Sequence, residues 1–547
     1  MSTTARPLNR GAACLPCRKL KARCDGNRPA CGRCVANNRP DDCEYAIGGE
    51  VTRSRLLEEN IALLEARIRE LENPNEAQSM RLHNPHPQKA VAGSSSGTHP
   101  SHSSNPWLHS PGTPQQTVTP GPLSAQQPPT HAEARALFQG FMAHTSQLGL
   151  FLNPARFARA VGLSPGSPGA VDELLMNAVY LWGSRLSSSA TLRAREEYFS
   201  AKAVQAASSA ILSAQSVAPV NGVLHTLQAE VLLANYFFSS GRFLEGKYHC
   251  LAAVALITAS GLHQLDVAAL AGAGVDSVSV GEKIHAFWTV YALDQAWSAA
   301  MNAPPSICQR GRTGFIITTP WPLASEAYEQ GIMIPRRGYG YSVVDFLQGR
   351  ADESGEEFSR LALRVKAAAL FSGAVYISSQ YRPDLPNRGE FFVQFTALDN
   401  QIEIFHSQLA AIRNRSPDDM RELLICRTLA CVAAIHLHSA FANHQPTSRQ
   451  KILTVAVASA RALDIIHANQ YQHLDAVIAL LWTTICETLV AEVRRLKRNA
   501  IPVRQEDMAR ITTSLDKIEG AMSSMTYVSP LMASKLAELQ QTRATIH

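Results

Sequence analysis

From His131 almost to the end of the chain, apolar residues return at intervals of three and four. Examples are Ala134-Leu137-Phe138-Phe141, Leu224-Leu227-Val231-Leu232, Leu361-Val365-Ala369 and Val477-Leu481-Ile485-Leu489. That period puts them on one face of a helix. Pro and Gly clusters at Asn302–Pro305, Pro320–Pro322, Pro335–Gly340 and Pro383–Gly389 punctuate the helices. Runs rich in β-branched residues, such as Phe315-Ile316-Ile317-Thr318-Thr319, are few and short. The pattern predicts a large all-α domain over 131–547. The longest apolar runs, Leu251–Ile257 and Ala476–Ile485, are too short or too interrupted to cross a bilayer, so they predict buried helices and no membrane partner.

Upstream the pattern changes twice. Leu57, Ile61, Leu64, Ile68 and Leu71 follow one another at alternating intervals of four and three within a charged stretch, 54–72. This is a heptad seam with β-branched Ile at a and Leu at d, the combination of a parallel two-stranded coil, with Arg67 placed to pair with Glu72 of a partner. An amphipathic helix packed on its own chain is the alternative. Residues 73–130 turn to Pro, Ser, His, Gln and Gly, as in Ser94-Ser95-Ser96-Gly97 and Gln126-Gln127-Pro128-Pro129. Such a composition buries too little to offset the entropy of ordering, and predicts a disordered linker.

A chain of 547 residues that is 46% hydrophobic is long and apolar enough for two or more domains and one sizeable core. The net charge of +6 is unevenly spread: residues 1–47 carry nine Lys and Arg against four Asp and Glu, and the remainder is close to neutral. A footprint for a polyanion therefore belongs at the N-terminus.

Six of the eleven cysteines fall in that same segment, spaced Cys14-x2-Cys17-x6-Cys24-x6-Cys31-x2-Cys34-x8-Cys43; Cys250, Cys308, Cys426, Cys431 and Cys486 are scattered singly in apolar surroundings. Met1–Arg10 is polar, with no apolar stretch ahead of a cleavage site, which predicts a reducing compartment and clustered thiols that serve as metal ligands. A structural zinc takes four thiolates, so six cysteines satisfy two zincs only if two sulfurs bridge. The two similar halves suggest Cys14 and Cys31, each opening a half, as the bridges. The alternative is a single four-cysteine site with two spare thiols.

Six thiolates and two Zn2+ leave a charge of −2, which nearby cations would offset. Arg18-Lys19-Leu20-Lys21-Ala22-Arg23 supplies four of them between Cys17 and Cys24. Such a run is also a plausible nuclear-import signal. Tethered to a zinc knot, it predicts a small basic helix suited to the major groove, where Lys and Arg donate to guanine O6 and N7.

Cys14 to Cys43 thus resembles the fungal Zn2Cys6 binuclear-cluster domain of transcription factors, in all five intervals. The resemblance implies that Cys14 and Cys31 bridge, that Cys17 and Cys24 complete one zinc site, and that Cys34 and Cys43 complete the other. It puts Lys21 at the main base-contacting lysine and Pro29 at the proline of the inter-half loop. Leu20 stands where some members carry a second basic residue, so Arg18, Lys19 and Arg23 are assigned to phosphates or to offsetting the cluster's charge. Downstream, Gly241-Arg242-Phe243-Leu244-Glu245 with Gly261-Leu262-His263, and Glu282 to Pro305 with Phe287-Trp288, Tyr291, Leu293-Asp294 and Pro304-Pro305, resemble the helical fungal-specific transcription factor domain over about 131–330.

Other candidates are weak. Gly272-Ala273-Gly274 lacks the third glycine of a dinucleotide fingerprint, His436 and His438 lie on different faces of a helix, Cys426 and Cys431 read as core thiols, and Trp288, Tyr291 and Trp297 read as packing. No nucleophile motif, phosphate loop or carboxylate pair points to an enzyme. The expectation is a mainly α protein: a Zn2Cys6 domain at 10–47, a coiled coil at 54–72, a linker at 73–130 and a regulatory domain at 131–547. It would be a nuclear homodimer that holds two Zn2+, binds double-stranded DNA at the CGG-type half-sites implied by the resemblance, and engages the RNA polymerase II transcription machinery. An enzyme and a protein-recruiting zinc module are the rival readings.

Overall fold

Two separate sets of buried side chains organise the chain, one made of cysteine sulfurs and the other of helix stripes. The computed structural model describes residues 13–45 except 29, 38–42 and 44, and residues 127–544 except 165, 214–219, 268–273, 309–314, 334–342, 351–358, 383, 385, 413–415, 467–472 and 499–504. The heptad seam, almost all of the 73–130 linker, Pro29 and Gly272-Ala273 lie outside the described residues. The chain divides into two units, Met1–Pro114 and Gln115–His547.

The first unit holds two one-turn helices, α1 (Leu15–Lys19) and α2 (Gly32–Ala36). The second holds α3 (His131–Met142), α4 (Thr145–Leu148), α5 (Pro154–Val161), α6 (Glu173–Leu186), α7 (Ala190–Arg193), α8 (Glu196–Ser213), α9 (Val220–Ser239) and α10 (Phe243–Ala259). A 3-10 turn, Leu262–Gln264, leads to α11 (Ser277–Ala300), α12 (Ser325–Glu329), α13 (Val343–Leu347), α14 (Arg360–Gln380), α15 (Arg388–Ala411) and α16 (Pro417–Ser439). The last four are α17 (Pro446–Ile466), α18 (Val477–Arg498), α19 (Gln505–Ser523) and α20 (Pro530–Ala544).

Local chemistry sets several of the starts. Thr130 with Glu133, and Ser416 with Asp419, form reciprocal capping boxes ahead of α3 and α16. Pro154 and Pro417 occupy first-turn positions where their missing N–H costs nothing. The main helix pairs are α3 on α6, α6 on α8, α9 on α10, α11 on α14, α14 on α16 and α16 on α17. Helices α11, α14 and α16 are buried around most of their circumference and form the middle of the unit. α14 is long and apolar enough to cross a membrane by length and composition, yet most of its residues are buried within the helical unit. Phe315–Thr319 forms no strand; Thr318 and Thr319 donate their N–H groups to the His263 carbonyl at 3.0 and 3.3 Å, alongside the 3-10 turn.

The Leu293-Asp294 and Pro304-Pro305 pairs that stood out in the sequence meet here. Asp294 is fully buried on α11 and accepts from the backbone N–H groups of Ser306 and Ile307 at 2.7 and 2.8 Å and from Lys247 Nζ of α10 at 2.9 Å. One carboxylate thus ties the turn after α11 to the neighbouring helix. Trp297 stacks on Phe238 at 4.0 Å, and Trp288 on Trp321 at 4.8 Å, which makes these aromatics packing groups. Cys426 and Cys431 are buried, as expected of core thiols; Cys250 and Cys486 are buried too, but Cys308 is exposed. His438 is buried and held between Ser448 and Asp399, each at 3.1 Å.

Asp294→Ala leaves the Lys247 ammonium with hydroxyl partners alone and two N–H groups unpaired, and should destabilise the helical unit by about 2–4 kcal/mol, with Asp294→Asn costing less. Thermal unfolding followed by circular dichroism checks this; an unchanged midpoint for Asp294→Ala would refute the role given to the carboxylate.

Candidate metal centre

Each half of the first unit begins in the same way. Cys14 and Cys31 are the N-cap residues of α1 and α2, so the Cys-x2-Cys spacing sets Cys17 and Cys34 at the third helical position. N-cap and third positions adjoin at a helix start, where unpaired N–H groups and the helix dipole favour negative charge. The Cys34 N–H donates to Cys31 Sγ at 3.4 Å, and the Cys31 N–H to Cys43 Sγ at 3.1 Å.

The sulfurs form two overlapping groups of four. Cys14, Cys17, Cys24 and Cys31 make one, Cys14, Cys31, Cys34 and Cys43 the other, and within each group all ligand atoms lie within 4.8 Å of one another. Cys14 and Cys31 are common to both, with their sulfurs 3.7 Å apart. The Cys17–Cys31, Cys14–Cys24 and Cys14–Cys34 separations are 3.7, 3.8 and 3.8 Å. A zinc–sulfur bond of about 2.3 Å in a tetrahedron gives a sulfur–sulfur edge of about 3.8 Å. The donor set therefore fits two four-coordinate sites that share one edge.

Five of the six thiols are buried and Cys24 is half-buried. Burial pushes Cys14, Cys17 and Cys34 up to about 12. At Cys31 burial also acts upward, but the Cys34 N–H and neighbouring thiols outweigh it and bring the group down to about 6. Bound zinc makes such thiols thiolates, and its binding energy becomes folding energy for a unit whose core is sulfur.

Sequence reasoning missed two residues that shape this centre. Asp25 accepts from the Gly32 N–H at 2.9 Å and from the Asn27 N–H at 3.3 Å, tying the first half to the start of α2. The Asp25-Gly26-Asn27 run was the available signal, since Asp caps its own turn and Gly26 has a positive φ of 75°. Tyr45 donates from its hydroxyl to the Asn27 carbonyl at 2.9 Å, and the Arg28 guanidinium lies over its ring at 5.1 Å.

The basic run is arranged differently from the single helix expected. α1 stops at Lys19, Lys21 donates its N–H to the Arg18 carbonyl at 3.2 Å, and Ala22 donates to the Cys17 carbonyl at 2.9 Å. This is a Schellman ending with Lys21 in the left-handed region, φ 49°. Arg18 lies on the helix, Lys21 on the reversal and Arg23 in the irregular chain after it, all three exposed; of the Lys19 side chain the described structure says nothing. Leu20 between them is 68% exposed.

The fold and the site together define a two-zinc, six-cysteine module followed in the chain by a large helical domain. Residues 12–48 match the fungal Zn(2)-Cys(6) binuclear cluster domain, and residues 139–326 the fungal specific transcription factor domain. The chain carries both domains of the fungal Zn2Cys6 transcription factors, and its first domain takes two zinc ions through six cysteines. It is similar to an uncharacterized transcriptional regulatory protein of Saccharomyces cerevisiae, 50% identical over 46 residues, or 8% of this chain. It is also similar to transcription factor FBD3 of Gibberella moniliformis, 36% identical over 76 residues, or 13% of this chain. The aligned segments span 7% and 10% of those relatives' own lengths.

Removing the metal should unfold the first unit and leave the second intact, because their cores are separate. After chelation, limited trypsin digestion should cut within Arg18–Arg33 while the helical circular dichroism signal persists. Resistance of that segment to trypsin without metal would contradict this.

Proposed function

We propose that the first unit binds double-stranded DNA in a sequence-specific manner and that the chain regulates RNA polymerase II transcription in the nucleus. The observation that carries this reading is the position of Lys21. A non-glycine residue in the left-handed region costs about 1–2 kcal/mol, a strain that persists where the surroundings impose it and that gathers at functional positions. Here the Schellman turn, closed between Cys17 and Cys24, imposes it and exposes the ammonium beside Arg18 and Arg23. A lysine held at a fixed point can donate to guanine O6 and N7, while flanking arginines and Lys19 meet phosphates. CGG-type half-sites are what the family resemblance adds. In this reading Cys14 and Cys31 bridge the zincs, Cys17 and Cys24 complete one site, and Cys34 and Cys43 complete the other.

One such module reads few base pairs, too few for selectivity against a genome, so a second copy is required. The heptad seam at Leu57, Ile61, Leu64, Ile68 and Leu71 supplies a homodimer, and the connector from Glu44 to Arg53 sets the half-site spacing. Leu64→Pro should abolish cooperative binding to a two-half-site probe and leave zinc content unchanged. Cooperative binding that survives the substitution would assign the seam to packing within one chain.

Lys21→Ala should lose about 1–3 kcal/mol of discrimination between cognate and mutated half-sites. Arg23→Ala should instead weaken binding to all sequences alike and reduce the salt slope by about 1. Competition titrations across salt concentrations separate the two; equal loss on every sequence for both variants would overturn the assignment of Lys21.

A further inference from the structure

Helix α10 is apolar on both its inner and its outer face. The inner face, with Gly246, His249, Cys250, Ala253 and Ile257, is buried where the helix packs on α9 and α11. The outer face carries Leu244, Tyr248, Leu251 and Ala255, all exposed, the first three by 83%, 57% and 44%. Leu244 is the most exposed large hydrophobic side chain among the described residues. Single apolar residues scattered on a surface are ordinary, whereas a contiguous row of them marks a contact. A helix that is apolar all round belongs inside something.

The outer residues follow one another at intervals of four, three and four, and exposed Thr258 continues the row three positions on. This is the spacing of a coiled-coil seam, so the shape that fits it is another helix. Charge is absent from it. Lys247 beside the row turns its ammonium inward, to Asp294 at 2.9 Å, Ser298 at 2.8 Å and Ser306 at 3.4 Å. Glu245 is held by Arg242 at 2.6 Å in the first turn, and His249 is buried against Glu230 at 2.6 Å. From Tyr248 to Thr258 the chain has no Asp, Glu, Lys or Arg.

The row is also complementary to its own reverse. About the midpoint between His249 and Cys250, Tyr248 lies as far to one side as Leu251 to the other, and Leu244 as far as Ala255. A two-fold axis at that point lays α10 antiparallel on the α10 of a second copy, each Tyr248 against the partner's Leu251 and each Leu244 against the partner's Ala255. Large residues then face smaller ones, as interdigitating seams require. A two-fold contact brings one patch against itself, so a charge near the axis would meet its own like. The uncharged stretch from Tyr248 to Thr258 is what a self-contact needs, and a partner of opposite charge would find nothing there to pair with.

The area sets the strength of such a contact. The 17 residues of α10 make about 26 Å of helix. A strip of that length and about 10 Å wide buries on the order of 500 Å² over both copies, short of the roughly 1,200–2,000 Å² of a stable interface. The heptad stretch 54–72 is nearly as short and has the same shortfall. Two short contacts on the same two chains reinforce each other, because forming the first makes the second intramolecular.

We propose that the outer face of α10 is a second homodimer contact, antiparallel α10 on α10, acting together with the 54–72 seam of the homodimer reading given above, on which it rests for its strength.

Sedimentation equilibrium of the full zinc-loaded chain without DNA tests it. The unaltered chain should dimerise reversibly. Leu251→Glu and Tyr248→Lys, both at exposed positions, should each raise the dimer dissociation constant tenfold or more and leave the unfolding temperature unchanged. An equimolar mixture of the two variants should recover the lost affinity, because each mixed dimer keeps one unaltered Tyr248–Leu251 contact and sets the introduced ammonium against the introduced carboxylate at the other. Leu64→Pro examines the other contact separately. Dimerisation lost in Leu64→Pro but unchanged in Leu251→Glu and Tyr248→Lys would overturn the α10 contact and leave the 54–72 seam standing; the reverse pattern would overturn the seam and uphold α10. A monomer at every concentration up to the solubility limit, or no recovery on mixing, would also overturn the proposal.

Discussion

Sulfur packed against sulfur at 3.7–3.8 Å is the constraint on which the N-terminal unit rests. Six thiols in so small a volume offer no hydrophobic core of the ordinary kind, and as thiolates they repel one another. A cation shared among them converts that liability into the unit's folding energy. The two one-turn helices follow from it, since five residues are far too few to hold a helix by propensity alone. So does the strained backbone of Lys21, pinned between two cysteines that the cluster holds.

The helical unit obeys ordinary rules. Its stability comes from apolar stripes and from a few buried polar groups that fix the turns between them. Asp294 is the clearest: the sequence pairs Leu293-Asp294 and Pro304-Pro305 belong to one device, in which a buried carboxylate on α11 receives the backbone of the turn that follows.

Much of this was legible from residue spacing. Six cysteines, four thiolates per zinc and two similar halves point to Cys14 and Cys31 as the shared pair, and these are the two sulfurs common to both groups of four. Three- and four-residue periodicity marked α3, α9, α14 and α18, and the matched 139–326 segment falls inside the 131–330 resemblance. What sequence could not reveal depends on backbone direction and on long-range contact. The basic run reads as one helix because nothing in Arg18–Arg23 breaks it; the reversal at Lys21 comes from the demand that Cys24 return to the cluster. Asp25 and Tyr45 act across the loop, and the Arg364–Asp475 ion pair joins residues more than a hundred positions apart.

The claim at the centre of this account is that Cys14 and Cys31 are common to two metal sites. X-ray absorption at the zinc edge of the metal-loaded protein examines it directly. The account predicts a first shell of sulfur alone at about 2.3 Å, together with a metal–metal scattering contribution from the neighbouring zinc. Nitrogen or oxygen in the first shell, or an all-sulfur shell with no metal–metal contribution, would contradict it.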